Sequence, residues 1–307
     1  MLTYLVRRAT MAVVVMMIVS VICFVLSNVA YDPAVGIAGA QATDEDVALI
    51  RKTYGFDRPL VVRFVEYLGN IATGDLGTSY LSKRPVIEMI LERLPVTALL
   101  AVLSMALALL IALPLGSAAA LWPNTIIDRF VQLLAVAGQA IPNFWAGLLL
   151  IVVFGVQLRW LPISGSTTYA HFVMPAITLG TFAMPPLMRL VRAGMIEVLA
   201  SDYIRTARAM GIRPFQLTFK YALKNAVLPV ISLSAVQLGF MLGGSIVVES
   251  IFALNGVGYL AWQSMTRSDM PVIQAIVLMI SMIYIVLTLL ADLLNAYMDP
   301  RLRGSRK

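Results

Sequence analysis

The chain has 307 residues, of which 60% are hydrophobic and only 13% are charged, and its mean hydropathy is +0.87. Soluble domains carry about 25% charged residues and need polar side chains to cover their surface. This composition therefore excludes a soluble single-domain enzyme, and it excludes a disordered chain, which would be polar. The formal net charge of +7 is compatible with nucleic acid, an acidic surface or a membrane orientation signal, and the positions of the charges decide between them.

Six apolar stretches are each long enough, at about 20 residues, to form a transmembrane helix. The first, at about 9–29, follows a basic pair, Arg7 and Arg8. It is too long for a signal-peptide core and no clear cleavage site follows it, which favours a retained span. The other five are predicted at about 96–121, 130–156, 172–191, 226–252 and 271–298. The sequence thus predicts an all-α polytopic membrane protein with six transmembrane helices.

Six spans place both termini on one side of the membrane and sort the loops into two sets. The set that holds both termini, about 122–129 and about 192–225 contains most of the Lys and Arg residues and few acids. The other set is slightly acidic. Basic residues in short loops mark the cytoplasmic side, so both termini are predicted to be cytoplasmic. Nucleic-acid binding is then not needed to explain the charge.

A long polar segment, residues 31–95, separates the first two predicted spans and is predicted to be external. Thr43 is a candidate N-cap for a helix that ends at Gly55, and a second amphipathic helix is predicted at about 59–71. The run 74–77 is typical of a turn. Two interpretations remain open, a lid that stabilises the external face and a docking surface for an external partner.

A second polar segment, about 192–225, is basic and predicted to be internal. A short helix over 203–210 is predicted there, with Ser201 or Asp202 as its N-cap. Gly211 suits the left-handed position that follows a helix. Helix, sharp turn and helix would form a rigid element outside the bilayer; the alternative is an ordinary basic loop.

The run 201–211 resembles the coupling-loop motif of ABC importer permeases, which often begins Glu-Ala-Ala and has a Gly four residues after the second Ala. Here Arg205-Thr206-Ala207 stands at the Glu-Ala-Ala position and Gly211 at the Gly. The reading Arg-Thr-Ala-Arg-Ala is similar to the dipeptide/oligopeptide/nickel branch. The resemblance extends over almost the whole chain, through the runs 4–8, 54–60, 74–79, 243–252, 269–274 and 299–301.

Two short runs depart from the pattern of that branch. Ala30-Tyr31 stands where the branch commonly has Pro-Gly, and 255–258 reads Asn-Gly-Val-Gly where it commonly has Pro-Gly-Leu-Gly. Both departures fall at the predicted external mouth. They leave the family resemblance intact and weaken any transfer of substrate identity.

The resemblance implies the architecture of a type I ABC importer permease in a bacterial inner membrane. It implies a cytoplasmic N-terminus and first span (1–30), the external segment (31–95), a five-helix core (96–298) that contains the coupling loop at about 192–225, and a cytoplasmic tail (299–307). The implied partners are a paralogous permease, favoured over a second copy of this chain, two cytoplasmic ATPase subunits and an external solute-binding protein. The chain has no phosphate-binding loop of the G-x-x-x-x-G-K-[ST] type. It is therefore not expected to be an enzyme or to hold a cofactor, and ATP and Mg are assigned to the ATPase subunits.

The resemblance also implies that the short internal helix passes ATP-driven movement to the spans. The residues assigned to this coupling are Tyr203, Arg205, Thr206, Ala207, Arg208, Ala209 and Gly211. The two arginines are three positions apart and lie near one helix face. They either pair with ATPase carboxylates or contact phospholipid or solvent.

Polar residues inside the predicted spans are candidates for the translocation path, because ionisable groups there are rare and usually face the bundle interior. Glu249 is the first candidate, as a gate or path contact, with a packing network as the alternative. Gln237, Gln139 and Asn143 are weaker candidates. Gly239, Gly243 and Gly244 are predicted to permit close helix packing.

No catalytic constellation is visible, and the single His171 and Cys23 give no expectation of a metal site. The branch imports di- and oligopeptides, glutathione, nickel chelates, opines and some oligosaccharides. Peptides are the favoured hypothesis for the substrate here. A stand-alone secondary transporter is the rival class. It would need an ion-coupling site and inverted repeats, and neither is visible in the sequence.

Overall fold

The computed structural model describes residues 2–30, 32–39 and 42–298, and these form fourteen α-helices without a β-strand. The all-α expectation is confirmed for this part of the chain. The helices α1 to α14 are, in order, Leu2–Val25, Pro33–Ala38, Asp44–Thr53, Leu60–Ala72, Val86–Leu121, Ile126–Ala140, Asn143–Leu150, Ala170–Leu199, Asp202–Ala209, Pro214–Gln216, Leu223–Ala226, Leu228–Ile251, Val257–Thr266 and Met270–Met298. Wider π-turns follow α1, α7 and α10, at Leu26–Ala30, Ile151–Gln157 and Leu217–Ala222.

Within the described residues, α1, α5 and α14 contain segments long and apolar enough to cross a membrane. Two bent pairs raise the number to as many as five if each pair is one span. One is α6 with α7, bent by 97°, and the other is the α10–α11 segment with α12, bent by 53°. The count of six spans thus remains a prediction.

The predicted fourth span, about 172–191, lies within α8, which is not among the helices that are long and apolar enough to cross a membrane. Pro175, Pro185 and Pro186 lie inside α8, and together with its Thr, Gly and Arg residues they make it less apolar than the other long helices. Nearly half of its residues are buried. α8 is therefore mainly an internal helix, whose sequence does not have to match a lipid surface along its whole circumference.

Two compact units divide the described chain. Unit 1 contains the residues up to Thr97 together with Asn255–Ile285, and unit 2 contains Ala98–Leu254 together with the residues from Val286 onward. The division falls inside α5 and again inside α14. Each of these long helices therefore contributes residues to both units.

Unit 1 contains the small helices of the predicted external segment. The Phe24 ring at the end of α1 contacts Phe64 and Tyr67 of α4, with ring centroids 5.1 and 5.7 Å apart. Asp32 accepts a hydrogen bond from the Ala34 N–H at the start of α2. The aromatic contacts and the capped helix show that this segment is folded rather than a linker.

A buried carboxylate in unit 1 joins two runs that carry the family resemblance. Asp269 is almost inaccessible to solvent; it accepts hydrogen bonds from the Ser79 hydroxyl at 2.5 Å and from the Tyr80 N–H at 3.0 Å. Nearby in the sequence, the Val257 N–H at the start of α13 donates to the Thr97 hydroxyl at 2.8 Å. Buried polar groups need such partners, so these bonds specify how residues 79–97 contact residues 257–269.

In unit 2, α8 packs against α6, α7 and α12, and the backbone of α5 approaches it closely. A Cβ at Gly180 would lie 2.9 Å from the Ser104 carbonyl oxygen, and one at Gly116 would lie 2.7 Å from the Met188 carbonyl oxygen. Small residues permit such close helix packing in membrane proteins. The core of unit 2 is therefore built around glycine contacts on α5 and α8.

Several local predictions are confirmed in unit 1. Thr43 and Asp46 form a reciprocal capping box at the start of α3, and Gly55 follows the helix with φ +68°. Two features differ from the prediction. α13 was not predicted, and α5 begins at Val86, upstream of the predicted span start at about 96. Charged residues in the first turns of α5 lower its hydropathy there without preventing it from being helical.

Candidate coupling and translocation sites

The short internal helix is present as α9, Asp202–Ala209, close to the predicted bounds. Ser201 takes the N-cap position with an extended backbone, but its hydroxyl makes no cap hydrogen bond. It donates instead to the Val198 carbonyl oxygen at 2.5 Å. The predicted position of the cap is therefore right and its side-chain bond is wrong. The carbonyl groups at the end of α8 lack helical partners and compete for the same hydroxyl.

The end of α9 has the geometry expected from its glycine. The Gly211 N–H donates to the Arg208 carbonyl at 3.0 Å, and the Ile212 N–H donates to the Ala207 carbonyl at 3.3 Å. Gly211 has φ +75°, a conformation that glycine adopts without steric cost. These paired bonds form a Schellman motif, which ends the helix at a defined residue.

One face of α9 is fixed to the rest of unit 2. Ile204 and Ala207 are buried, and the Tyr203 hydroxyl accepts a hydrogen bond from the Asn225 amide nitrogen at 2.7 Å. Asn225 belongs to α11, so the bond joins two helices of the basic segment. Ala207, one of the predicted coupling residues, thus anchors α9 within the chain and is not exposed to a partner.

The opposite face of α9 is open to solvent. The Arg205 side chain is 79% exposed and forms an ion pair with Asp202 at 3.4 Å. The Thr206 hydroxyl donates to the Asp202 carbonyl at 3.0 Å. Exposed ion pairs of this kind stabilise a helix only slightly, so Arg205 can exchange its partner at little cost. Arg208 and Ala209 are exposed as well.

A buried ion pair between α6 and α8 was missed by the sequence reasoning. Asp128 is 1% exposed, and its two carboxylate oxygens accept hydrogen bonds from Nε and Nη2 of Arg192 at 2.6 and 2.7 Å. The Asn124 N–H and the Gln132 amide donate to the same carboxylate, each at 2.9 Å. In the sequence, Arg192 is the first residue of the basic segment that was predicted to be internal, about 192–225. The available signal was the position of Asp128 in the first turn of a helix, where acids are favourable, but its partner lies far away in the sequence.

The predicted path residues fall into two places. Gln139 and Asn143 flank the break between α6 and α7, and Gln139 accepts a hydrogen bond from Nη1 of Arg189 at 3.0 Å. Gln237 and Glu249 lie on α12 and are 8% and 0% exposed. The burial of both α12 residues agrees with the expectation that polar residues of the spans face inward.

The glycine prediction for α12 gives a mixed result. A Cβ at Gly243 would meet nothing within 4 Å in the part of the chain that the structure describes, so Gly243 mediates no close packing among those residues. Gly239 is buried. The structure does not describe the packing around Gly244, and the predicted cytoplasmic tail, 299–307, lies outside the described residues.

The chain matches two protein families along its length. The family "Binding-protein-dependent transport system inner membrane component" covers residues 112–304, and the family of the corresponding N-terminal part covers residues 1–101. Among curated relatives, the glutathione transport system permease protein GsiC of Pectobacterium atrosepticum is 41% identical over 304 residues, which is 99% of each chain. The protein of the same name from Escherichia coli (strain K12) is 39% identical over the same length.

The fold also matches solved structures. Two inward-facing crystal forms of the MetNI methionine ABC transporter match 69% of this chain, with TM-scores of 0.57 and 0.55 and sequence identities of 19% and 18%. The matches cover 96% and 97% of those chains. At this identity the likeness concerns the fold alone. The family matches and the full-length relatives show the family as well as the fold. The chain belongs to the inner membrane components of binding-protein-dependent transport systems, as an ABC importer permease of the dipeptide/oligopeptide/nickel branch.

Proposed function

We propose that this chain is one of two paralogous permease subunits of an importer for short peptides, including glutathione. Two cytoplasmic ATPase subunits would bind ATP and Mg and drive transport, and an external solute-binding protein would deliver the substrate. The observation that carries the proposal is the 39–41% identity to glutathione permeases over 99% of the chain. Glutathione is itself a tripeptide, so the peptide and glutathione readings describe one chemical class. Nickel chelates, opines and oligosaccharides are the alternatives within the same branch.

The proposed topology has six spans with both termini in the cytoplasm. Five of the proposed spans would be α1, α5, α14 and the two bent pairs, each pair taken as one span, and α8 would be the sixth. With 30 residues and a rise of 1.5 Å per residue, α8 is about 45 Å long, which exceeds the bilayer core of about 30 Å. This topology puts α9 on the cytoplasmic side together with exposed basic residues such as Arg205 and Arg213, as the positive-inside rule requires.

The proposed coupling element is α9 with its terminal glycine. Its exposed residues, Tyr203, Arg205, Thr206, Ala209 and Gly211, would lie in a cleft of the ATPase subunit, with Ala207 as the anchor on the inner side. Arg208, the remaining residue of the predicted coupling set, is also exposed and would contact either an ATPase carboxylate or phospholipid. Closure of the ATPase subunits would then move a helix that is already joined to α11 by the Tyr203–Asn225 hydrogen bond. No cofactor is needed in this chain for that movement.

The proposed path runs beside the break between α6 and α7. Irregular backbone at membrane depth is tolerated only where it is buried in protein or lines a water-filled cavity. Gln139 and Asn143 flank this break, and α12 buries Gln237 and Glu249, together with Ser245, in the same unit. Glu249 would act as a gate or path contact through its carboxylate.

The substrate proposal is tested with the cognate solute-binding protein and with cells that express the complete importer. Isothermal titration with glutathione, dipeptides, longer peptides, nickel and an oligosaccharide should show tight binding of a short peptide or glutathione. Uptake of the same labelled compound should depend on ATP and on this chain. Tight binding of a sugar without affinity for any peptide would refute the peptide class and leave the permease assignment intact.

The coupling proposal is tested with Arg205→Glu in the complete importer, purified through a tag on this chain. The charge reversal on the exposed face of α9 should release the ATPase subunits and abolish ATP-dependent uptake. Arg267→Glu is the matched control, because Arg267 is an exposed arginine that follows a short helix in unit 1. If Arg205→Glu retains its ATPase subunits and its uptake, α9 is not the contact.

A further inference from the structure

An open cavity of about 460 Å³ lies in unit 2 beside α9. The volume is within the range of about 300–1,000 Å³ that is typical of small-molecule sites. Its walls come from the end of α5, the end of α8 and the chain that follows α9, and they are mostly apolar. The side chains that form the walls include Leu121, Ile196, Leu199, Ile212 and Leu217.

Arg208 supplies the only charged side chain among the residues that line this cavity. Its guanidinium makes no hydrogen bond or ion pair to any residue in the ranges 2–30, 32–39 and 42–298. The other polar wall residue, Thr218, already donates its hydroxyl proton to the Pro214 carbonyl at 2.9 Å. The cavity therefore offers an apolar volume and one cation that has no partner among the described residues.

The neighbouring arginine on the same helix is in a different position. Arg205 does not line the cavity, and it already forms an ion pair with Asp202. The sequence gives no reason to distinguish the two arginines, but in the structure their surroundings differ. Both side chains are exposed, but only Arg208 borders the apolar cavity.

The cavity lies next to features that are typical of a membrane surface. Leu121 is the last residue of α5, an apolar helix long enough to cross a bilayer. It is followed by Trp122, which is exposed, and tryptophan is enriched where hydrocarbon meets headgroups. Phospholipid acyl chains and phosphates are both present at that depth.

We propose that this cavity is a binding site for an anionic phospholipid, with an acyl chain against the apolar walls and the headgroup phosphate paired with Arg208. Charge complementarity selects an anionic lipid over a neutral one, because the guanidinium has no carboxylate among its described neighbours. The walls come from both α8 and the residues around α9. A bound lipid would therefore hold the coupling helix against the end of α8.

The test uses the full-length chain, purified in neutral detergent and titrated with lipids under native mass spectrometry. Dioleoyl-phosphatidylglycerol should bind, and Arg208→Gln should weaken this binding about fivefold, as expected for the loss of one arginine contact to an anionic headgroup. Arg205→Gln is the matched control and should bind as the unaltered chain does. Equal losses in both variants would overturn the proposal, because they would indicate a general attraction to the basic segment.

A second variant tests the apolar part of the site. Ala200 is an exposed wall residue, so Ala200→Phe can fill the cavity without disturbing buried packing and should weaken phosphatidylglycerol binding while Arg208 is retained. Unchanged binding would overturn the assignment to this cavity. Equal binding of dioleoyl-phosphatidylcholine, or tighter binding of oleate, would overturn the anionic phospholipid as the ligand.

Hydrogen exchange supplies a readout that loss of folding would not imitate. Phosphatidylglycerol should slow amide exchange over residues 202–212 in the unaltered chain and in Arg205→Gln, but not in Arg208→Gln. Slowed exchange in Arg208→Gln would count against the site. Neither ATPase subunits nor substrate take part in these measurements, so their result does not depend on the proposed import function.

Discussion

Removal of Arg192 is predicted to destabilise the chain more than removal of its partner Asp128. The Asp128 carboxylate is 1% exposed, so Arg192→Ala leaves a buried anion that keeps only the Asn124 and Gln132 donors. Breaking a buried ion pair by deleting one partner costs about 3–5 kcal/mol. Asp128→Ala leaves a guanidinium whose side chain is 25% exposed. Since water can reach it, the expected cost is lower, about 2–3 kcal/mol.

Reversible unfolding of the purified full-length chain in mixed micelles measures these costs, and the double variant completes a thermodynamic cycle. The coupling energy between the two positions should be about 2 kcal/mol, within the range for residues in direct contact. Arg189→Ala is the matched control on the same helix. It removes one hydrogen bond to the exposed Gln139 and should cost about 1 kcal/mol. A coupling energy below about 0.5 kcal/mol, or a larger cost for Asp128→Ala than for Arg192→Ala, would refute this reasoning.

Four glycine and alanine substitutions give further predictions, all measured by the same unfolding assay. Gly211→Ala forces a side chain into φ +75° and should cost about 1–2 kcal/mol; Gly243→Ala, where a Cβ meets nothing within 4 Å, should instead stabilise α12 by about 0.5–1 kcal/mol. Equal effects of these two would contradict the assigned backbone conformations. Ala253→Gly should stabilise the chain by about 0.5–1 kcal/mol, since Ala253 has φ +47° and the relief exceeds the entropic cost of glycine; a loss of stability would show that this alanine is not strained. Gly180→Ala should cost about 1–3 kcal/mol, because its Cβ would lie 2.9 Å from the Ser104 carbonyl oxygen, and an unchanged unfolding midpoint would mean that α5 and α8 are not packed this closely.

The features that were predicted correctly are those whose causes lie within a few residues. Thr43 is the N-cap of α3, as predicted, and its partner Asp46 is only three positions away; Gly211 ends α9 through bonds to the preceding turn. Such signals depend on residue type and spacing. They can therefore be read from the sequence without knowing what the helix packs against.

The features that were missed depend on pairs that are distant in the sequence. Asp128 meets Arg192 from another helix, and Ser79 meets Asp269 across most of the chain. Residue type indicates that a buried carboxylate needs partners but not which ones. Arg205 and Arg208 show the same limit at short range: both are exposed, and only the packing around α9 shows that Arg208 borders a cavity while Arg205 does not.

The corner between α8 and α9 determines how stiffly the two helices are joined. Only Ala200 and Ser201 separate them, which leaves four soft backbone torsions, and the Ser201 hydroxyl is bonded back to Val198. A connection with so few free torsions can bend only slightly. A displacement of α9 by an attached subunit would be passed to α8 as a rotation of its end, with little of it lost in the connection.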